Sequence, residues 1–204
     1  MTTPYDSTED TQAHIDRVRD LLQDVRRNLA ERGYTHDASK LIEPEKSAFD
    51  RATPFLKTAA YGTPAYESAK AELGTALTHH YAHNAHHPEH WPVQESPTID
   101  QMQQDLEVLR HLTDTGKRPD SAELAVIHRA HAQLQADLLV ARSRINGMSL
   151  LDILEMLADW KAAGERTANG NLTASLSFNR GRHAIGEQLA QILDNTAREL
   201  GWIA

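Results

Sequence analysis

Six of the chain's 12 histidines fall between His79 and His90, in the string His79-His-Tyr-Ala-His83-Asn-Ala-His86-His-Pro-Glu-His90. Imidazoles crowded this closely repel one another when protonated and lose solvation when buried without partners. Ligation of a cation relieves both problems. Their spacing sorts them. On a helix, His79, His80 and His83 occupy adjacent turns, and His80 lies seven residues after Leu73, on the stripe that Leu73, Ala76 and Leu77 turn inward. His86, His87 and His90 follow in a loop punctuated by Pro88 and Pro92. A histidine-rich surface loop is the ordinary alternative.

Three other places offer matching chemistry. In Thr35-His-Asp-Ala-Ser-Lys40, adjacent His36 and Asp37 can both reach one metal from a short helix end, and nitrogen with carboxylate suits Zn, Mn, Fe or Co. Lys40, one turn on, can hold a phosphate oxygen beside such an ion. The plainer reading has Asp37 and Ser39 capping a helix and Lys40 solvated. On the first helix, His14 falls on the same stripe as Val18, Leu21, Val25 and Leu29, as a boundary histidine or a ligand. Between Leu151 and Ala163, Asp152, Glu155 and Asp159 share a face opposite Leu150, Leu154 and Leu157. A solvated acidic face explains them, but so does a metal ligand one turn from a base.

The elements that must position these groups read as helices almost throughout. The 3–4 spacing predicts a helix from Ser7 to Arg32, capped by Ser7 and stopped by Gly33. Pro44 opens a further helix through Phe49, kinked near Pro54. Tyr61-Gly62 is a turn, and Thr63-Pro64 opens a helix to about Tyr81. Pro97–Asn146 reads as a helical hairpin around a Gly116–Asp120 turn. Ser149 with Asp152 opens a helix through Ala163. Ala168–Asn171 is a loop, followed by helices near Leu172–Asn179 and Ile185–Leu200. No strand-period run or repeated unit interrupts this, so the expected fold class is all-α. One domain over 1–204, with the hairpin 97–146 inserted in it, is the expected organisation.

Composition narrows the chemistry. The chain has no cysteine, which excludes disulfides, thiolate zinc, iron–sulfur clusters and thiol nucleophiles. Its 21 Lys+Arg against 29 Asp+Glu leave a net charge of −8, which repels a nucleic-acid backbone unless positive charge is concentrated locally or supplied by metal. Aromatics are only 5%, too few for base-stacking platforms. No apolar run approaches the ~18 residues of a membrane span, and residues 1–10 are too polar for a signal peptide. The expectation is a cytoplasmic protein, in the host cytoplasm if phage-encoded, with no membrane or nucleic-acid polymer partner.

The order His14, His36-Asp37, distal Asp159 resembles the HD superfamily of metal-dependent phosphohydrolases, helical proteins in which H…HD…D binds one metal and further histidines a second. The strings His14-Ile-Asp-Arg-Val-Arg19, Thr35-His-Asp-Ala-Ser-Lys-Leu41, Pro44-Glu45, Tyr61-Gly62, His79-His-Tyr81, Asn84-Ala-His-His-Pro-Glu-His90 and Leu154-Glu-Met-Leu-Ala-Asp-Trp-Lys-Ala162 are similar to an uncharacterised domain family of bacterial and phage proteins. Asn169-Gly-Asn171, Ser177-Phe-Asn179 and the Gln188–Leu200 tail resemble its C-terminal part. The resemblance covers residues 11–92 and 147–200, and the hairpin between them departs from shorter members as a lid or a homodimer contact.

The resemblance implies His36, Asp37 and Asp159 as metal ligands, with His14 as a fourth. It implies His80 and His87 for a second metal or for substrate, with His83 and His86 in reserve. Asp37 or Glu155 would serve as base, Lys40 as phosphate ligand and catalytic cation, and Asn84 and His83 as substrate contacts. One or two divalent ions (Mn, Fe, Co, Zn or Mg) are the implied cofactors. The expected function is hydrolysis of a small phosphorylated molecule such as a nucleotide. A diiron oxygenase of the HD type and a non-catalytic, metal-stabilised binding protein are the alternatives.

Overall fold

Helix-period patterning dominates the sequence, and the computed structural model, which describes residues 5–59, 63–114, 121–166 and 170–204, follows it. Nine α-helices and no strand occur among the described residues, so the chain is all-α. No helix among them is long and apolar enough to cross a membrane. The chain divides into two compact units, Met1–Ala38 and Ser39–Ala204. The expected turns at Tyr61-Gly62 and Gly116–Asp120, and Ala168-Asn169 of the expected loop, lie outside the described residues.

The first unit is one long helix, α1 (Thr8–Thr35). Asp6 rather than Ser7 secures its start: the Asp6 carboxylate accepts from the Thr8 amide at 2.9 Å and the Thr8 hydroxyl at 2.6 Å, while the Ser7 side chain makes no capping bond. The helix runs past Gly33, and the Thr35 hydroxyl donates to the carbonyls of Glu31 and Arg32 in its last turn. The left-handed residue that redirects the chain is Asp37, at φ 56°, a conformation aspartate tolerates better than most residues. Val18, Leu21, Leu22 and Val25, expected to be buried, are exposed, and α1 has no buried residue. Periodicity identifies an apolar face but not what covers it, and α1 is the only α-helix among the described residues of its unit.

The second unit begins with the 3₁₀ turn Ala38–Leu41 and continues through α2 (Lys46–Thr58), α3 (Pro64–Ala71) and α4 (Thr75–His83). Helix α2 extends well beyond Phe49 and runs through Pro54, which removes one backbone donor without ending it. The single helix expected from Thr63 to Tyr81 is two, because Gly74 adopts φ 51°, open to glycine at little cost. Thr63 caps α3 by accepting from the Tyr66 amide, with Pro64 in the first turn.

After the 3₁₀ turn Pro88–His90, α5 (Pro97–Asp114) and α6 (Ser121–Ala141) pack on one another. The core proper follows, built by α7 (Leu150–Glu165), α8 (Leu172–Arg182) and α9 (Glu187–Glu199). Met156, Leu157, Trp160, Leu172, Leu176, Ile185, Leu193 and Ala197 form it, with Leu157 wholly buried. Each large apolar side chain sequestered in this way contributes about 1.5–3 kcal/mol. That anchoring fixes the rotation of α7 and therefore the direction of Glu155 and Asp159 on its other face. Asp152, grouped with them from the sequence, is spent on a capping box with Ser149.

Candidate metal centre

Leu73 and His80 are both buried, although Gly74 interrupts the helix between them, while His79 is only half-buried. His80 is 1% exposed, and both of its ring nitrogens are engaged. Its Nδ1 lies 3.0 Å from Oε2 of Glu45, and its Nε2 lies 2.9 Å from Nε2 of His87. Glu45 has no exposed surface. It precedes α2 and receives the Ser39 hydroxyl at 2.9 Å on Oε2 and His79 Nδ1 at 2.7 Å on Oε1. Burial alone would raise the Glu45 carboxyl; hydrogen bonds from His79, Ser39 and His80 outweigh it and hold the group ionised, below its ordinary range. The ionised Glu45 beside Nδ1 favours the proton on that nitrogen, which turns the lone pair of His80 to Nε2, although the Asn84 amide nitrogen also lies 3.0 Å from Nδ1.

A second pair repeats the arrangement. His86 is 2% exposed, and its Nδ1 lies 3.1 Å from Oε1 of Glu155 on α7. Its lone pair is thereby assigned to Nε2. One ring nitrogen from each of His80, His86 and His87 lies within 4.8 Å of the other two. Three imidazole nitrogens converging with carboxylates on the far side of two of the rings are the donor set that Zn, Fe or Co prefers. The buried His and Glu group could hold a metal ion.

The other residues singled out from the sequence separate into distinct places. His36 and Asp37 are both partly buried, with Nε2 of one 3.6 Å from Oδ2 of the other. Asp159 is half-buried, one turn beyond Glu155. His14 cannot share an ion with His36 and Asp37. It is exposed, and α1 is continuous from Thr8 to Thr35, which at 1.5 Å per residue puts His14 about 30 Å along the axis from the helix end. His83 is exposed, stacked on His79 at 3.9 Å, with Nδ1 on the His79 carbonyl, so it does not face the converging nitrogens. Asn84, expected to meet substrate, is buried. Its amide donates to the Ser39 hydroxyl at 2.9 Å and the His80 carbonyl at 2.8 Å, which ties the end of α4 to the Glu45 network. Lys40 lies over the Phe49 ring, 4.9 Å from its centroid.

Sequence reasoning passed over Glu45 as a functional residue and held His86 in reserve. A lone carboxylate after a proline has no periodic signature, although Pro44-Glu45 stands directly before α2. The His86–Glu155 pairing joins residues that only tertiary packing brings together.

A second group of charges adjoins the histidines. The Tyr81 ring packs at 5.1 Å from His87, and its hydroxyl bonds the Arg182 side chain. Burial pushes that hydroxyl far above its ordinary pKa, Glu89 adds to the rise and Arg182 opposes it. Arg182 pairs with Glu89 at 2.9 Å, and His183 stacks on Trp160 with ring planes 7° apart. Burial depresses the His183 imidazole to about 4, with Arg182 and Lys70 reinforcing burial and Glu89 opposing it. Between pH 6.5 and 4 the unfolded chain therefore binds a proton that the folded one refuses, so stability is complete above pH 6.5 and falls below it. The expected loss is at most about 2 kcal/mol at pH 5. Urea unfolding at pH 7 and pH 5 checks this, because His183→Phe should remove that part of the pH dependence.

The fold and the centre define an all-helical protein with a histidine–carboxylate cluster suited to a metal ion. Residues 3–114 match the family of unknown function DUF5662, and the chain belongs to that family. The match includes the histidine cluster, His36-Asp37 and Glu45, and stops before α7. No curated protein and no solved structure matches the chain.

Proposed function

We propose that this chain is a metal-dependent hydrolase of small phosphoric esters, with HD-like character. The observation that carries the reading is the convergence of His80, His86 and His87, two of them oriented by buried or half-buried carboxylates. A divalent ion held there would lower the pKa of bound water from 15.7 towards ~7 and offset substrate charge in a chain of net charge −8. By the HD-like resemblance, His36 and Asp37 are assigned to the ligand set in this proposal. Asp159, one turn from Glu155, is the remaining ligand. Asp37 is the group available as base, and Glu155 acts on His86 as a positioning residue.

Metal analysis of the purified protein tests the assignment. Asp37→Ala and Asp159→Ala should each lower bound metal, and hydrolysis of a nucleotide and phosphoester panel with Mn²⁺, Co²⁺ or Zn²⁺ should fall at least tenfold with it. Unchanged metal content in both variants removes them as ligands. Absence of turnover by the metal-loaded wild type removes the hydrolase reading.

The depth of His80 and His86, at 1% and 2% exposure, favours a second reading, a structural ion in a closed site. Four-coordinate protein ligation with no exchangeable water, measured by X-ray absorption, would select it.

A further inference from the structure

A helix that is apolar on every side belongs in an interior, yet α6 has no buried residue among those described. Only Glu123, Arg129 and Asp137 of its 21 residues carry a formal charge. Helix α6 packs on α5, and its half-buried side carries Leu124, Ile127, Leu134 and Leu138. The opposite side has an order of its own. Counted outward from Gln133, Ala130 and Ala136 stand three residues away, Arg129 and Asp137 four, and Val126 and Val140 seven. At 100° per residue all of them fall within about 60° of Gln133. All are exposed, Val126 by 55% and Val140 by 37%.

Each pair thus matches in size or opposes in charge. That is what a two-fold axis requires, because across it residue i meets j and j meets i. Two copies laid antiparallel with Gln133 on the axis set Val126 on Val140 of the second copy, Ala130 on Ala136 and Arg129 on Asp137. A parallel pair would instead set Arg129 against Arg129 and Asp137 against Asp137. The charges are available for this use. Arg129 makes no ion pair among the described residues. Asp137 accepts from the Gln133 amide at 2.9 Å on one carboxylate oxygen, a bond compatible with a second donor.

We infer that α6 is a self-association face, pairing antiparallel with α6 of a second copy of this chain. The pairing gives the hairpin the burial it lacks alone. From Val126 to Val140 it spans about 21 Å of helix, so it belongs with the small interfaces and their weak, concentration-dependent dimers. The inference is independent of the hydrolase reading.

Sedimentation equilibrium of the full chain, from about 1 μM to about 1 mM, tests it. A reversible monomer–dimer equilibrium is expected. Arg129→Glu and Asp137→Arg each bring like charges together twice in the dimer, and each should weaken association about tenfold. Combining the two restores both pairs with their signs exchanged, and association should return close to the wild-type value. All these substitutions are on the exposed face, so the far-ultraviolet circular dichroism should not change. The chain has no cysteine, so Gln133→Cys supplies one thiol per chain, on the proposed axis. Mild oxidation should link it into a covalent dimer, whereas Gln135→Cys, exposed on the other side of the helix, should remain unlinked. A chain that stays monomeric throughout, or single variants that associate as well as the wild type, overturns the inference. A double variant that does not recover, or equal linking of the two cysteine variants, overturns the antiparallel register.

Discussion

Purified His80→Ala should lose most of its bound metal and unfold at markedly lower urea. His80 presents its Nε2 to His87 at 2.9 Å and its Nδ1 to Glu45 at 3.0 Å, so truncation removes a ligand and strips a partner from a wholly buried carboxylate in one step. Removing one hydrogen-bond partner of a buried group costs about 1–3 kcal/mol, and the space left by the imidazole adds to that loss. The two losses are separable. Urea unfolding in excess chelator reports the weakened Glu45 network and the emptied volume, and metal stoichiometry reports the ligand. His87→Ala serves as the comparison, since His87 is only half-buried where His80 is buried. It should lose metal with a smaller change in chelated stability. Retention of full metal by both variants would place the ion elsewhere.

Glu45→Gln should leave the far-ultraviolet circular dichroism unchanged and weaken metal binding by about 10–100-fold, the usual effect of removing a carboxylate that orients a ligating imidazole. Glutamine has the volume of glutamate, so the cavity stays filled. It offers one carbonyl oxygen where Glu45 serves His79 on one oxygen and His80 on the other. Competition with a chromophoric chelator measures the affinity directly. An affinity equal to wild type would mean that Glu45 only braces α2 against α4.

The all-α class was legible because the apolar spacing holds a 3–4 period in nearly every segment. The sequence put His80 on the inward stripe but could not separate it from His79, since a one-residue error in helix phase exchanges them; on α4 it is His80 that is buried, with Ala76 one turn earlier. Where the reading went astray, the missing information was tertiary or depended on one dihedral angle. The stripe on α1 is real, but periodicity does not reveal that no neighbour within its unit covers it. Gly33 has the composition of a stop, yet the turn falls at Asp37, so α1 remains straight past the glycine and carries His14 far from His36. Gly74, which no pattern marked, breaks the expected helix in two. Glu45 and Glu155 gain meaning only through His80 and His86, and those pairings cross long stretches of chain.

The Arg182–Glu89 pair joins residues 93 positions apart, and Arg144 reaches the same loop through the carbonyls of Glu89, at 3.3 Å, and Trp91, at 2.7 Å. Both arginines, and Glu155, lie beyond residues 3–114, the segment that matches the family model. During synthesis the imidazoles therefore emerge from the ribosome well before the residues that clamp and aim them. A nascent chain halted in between would offer the same nitrogens without their geometry, so an ion bound as proposed would be taken up by the finished polypeptide rather than by the growing one.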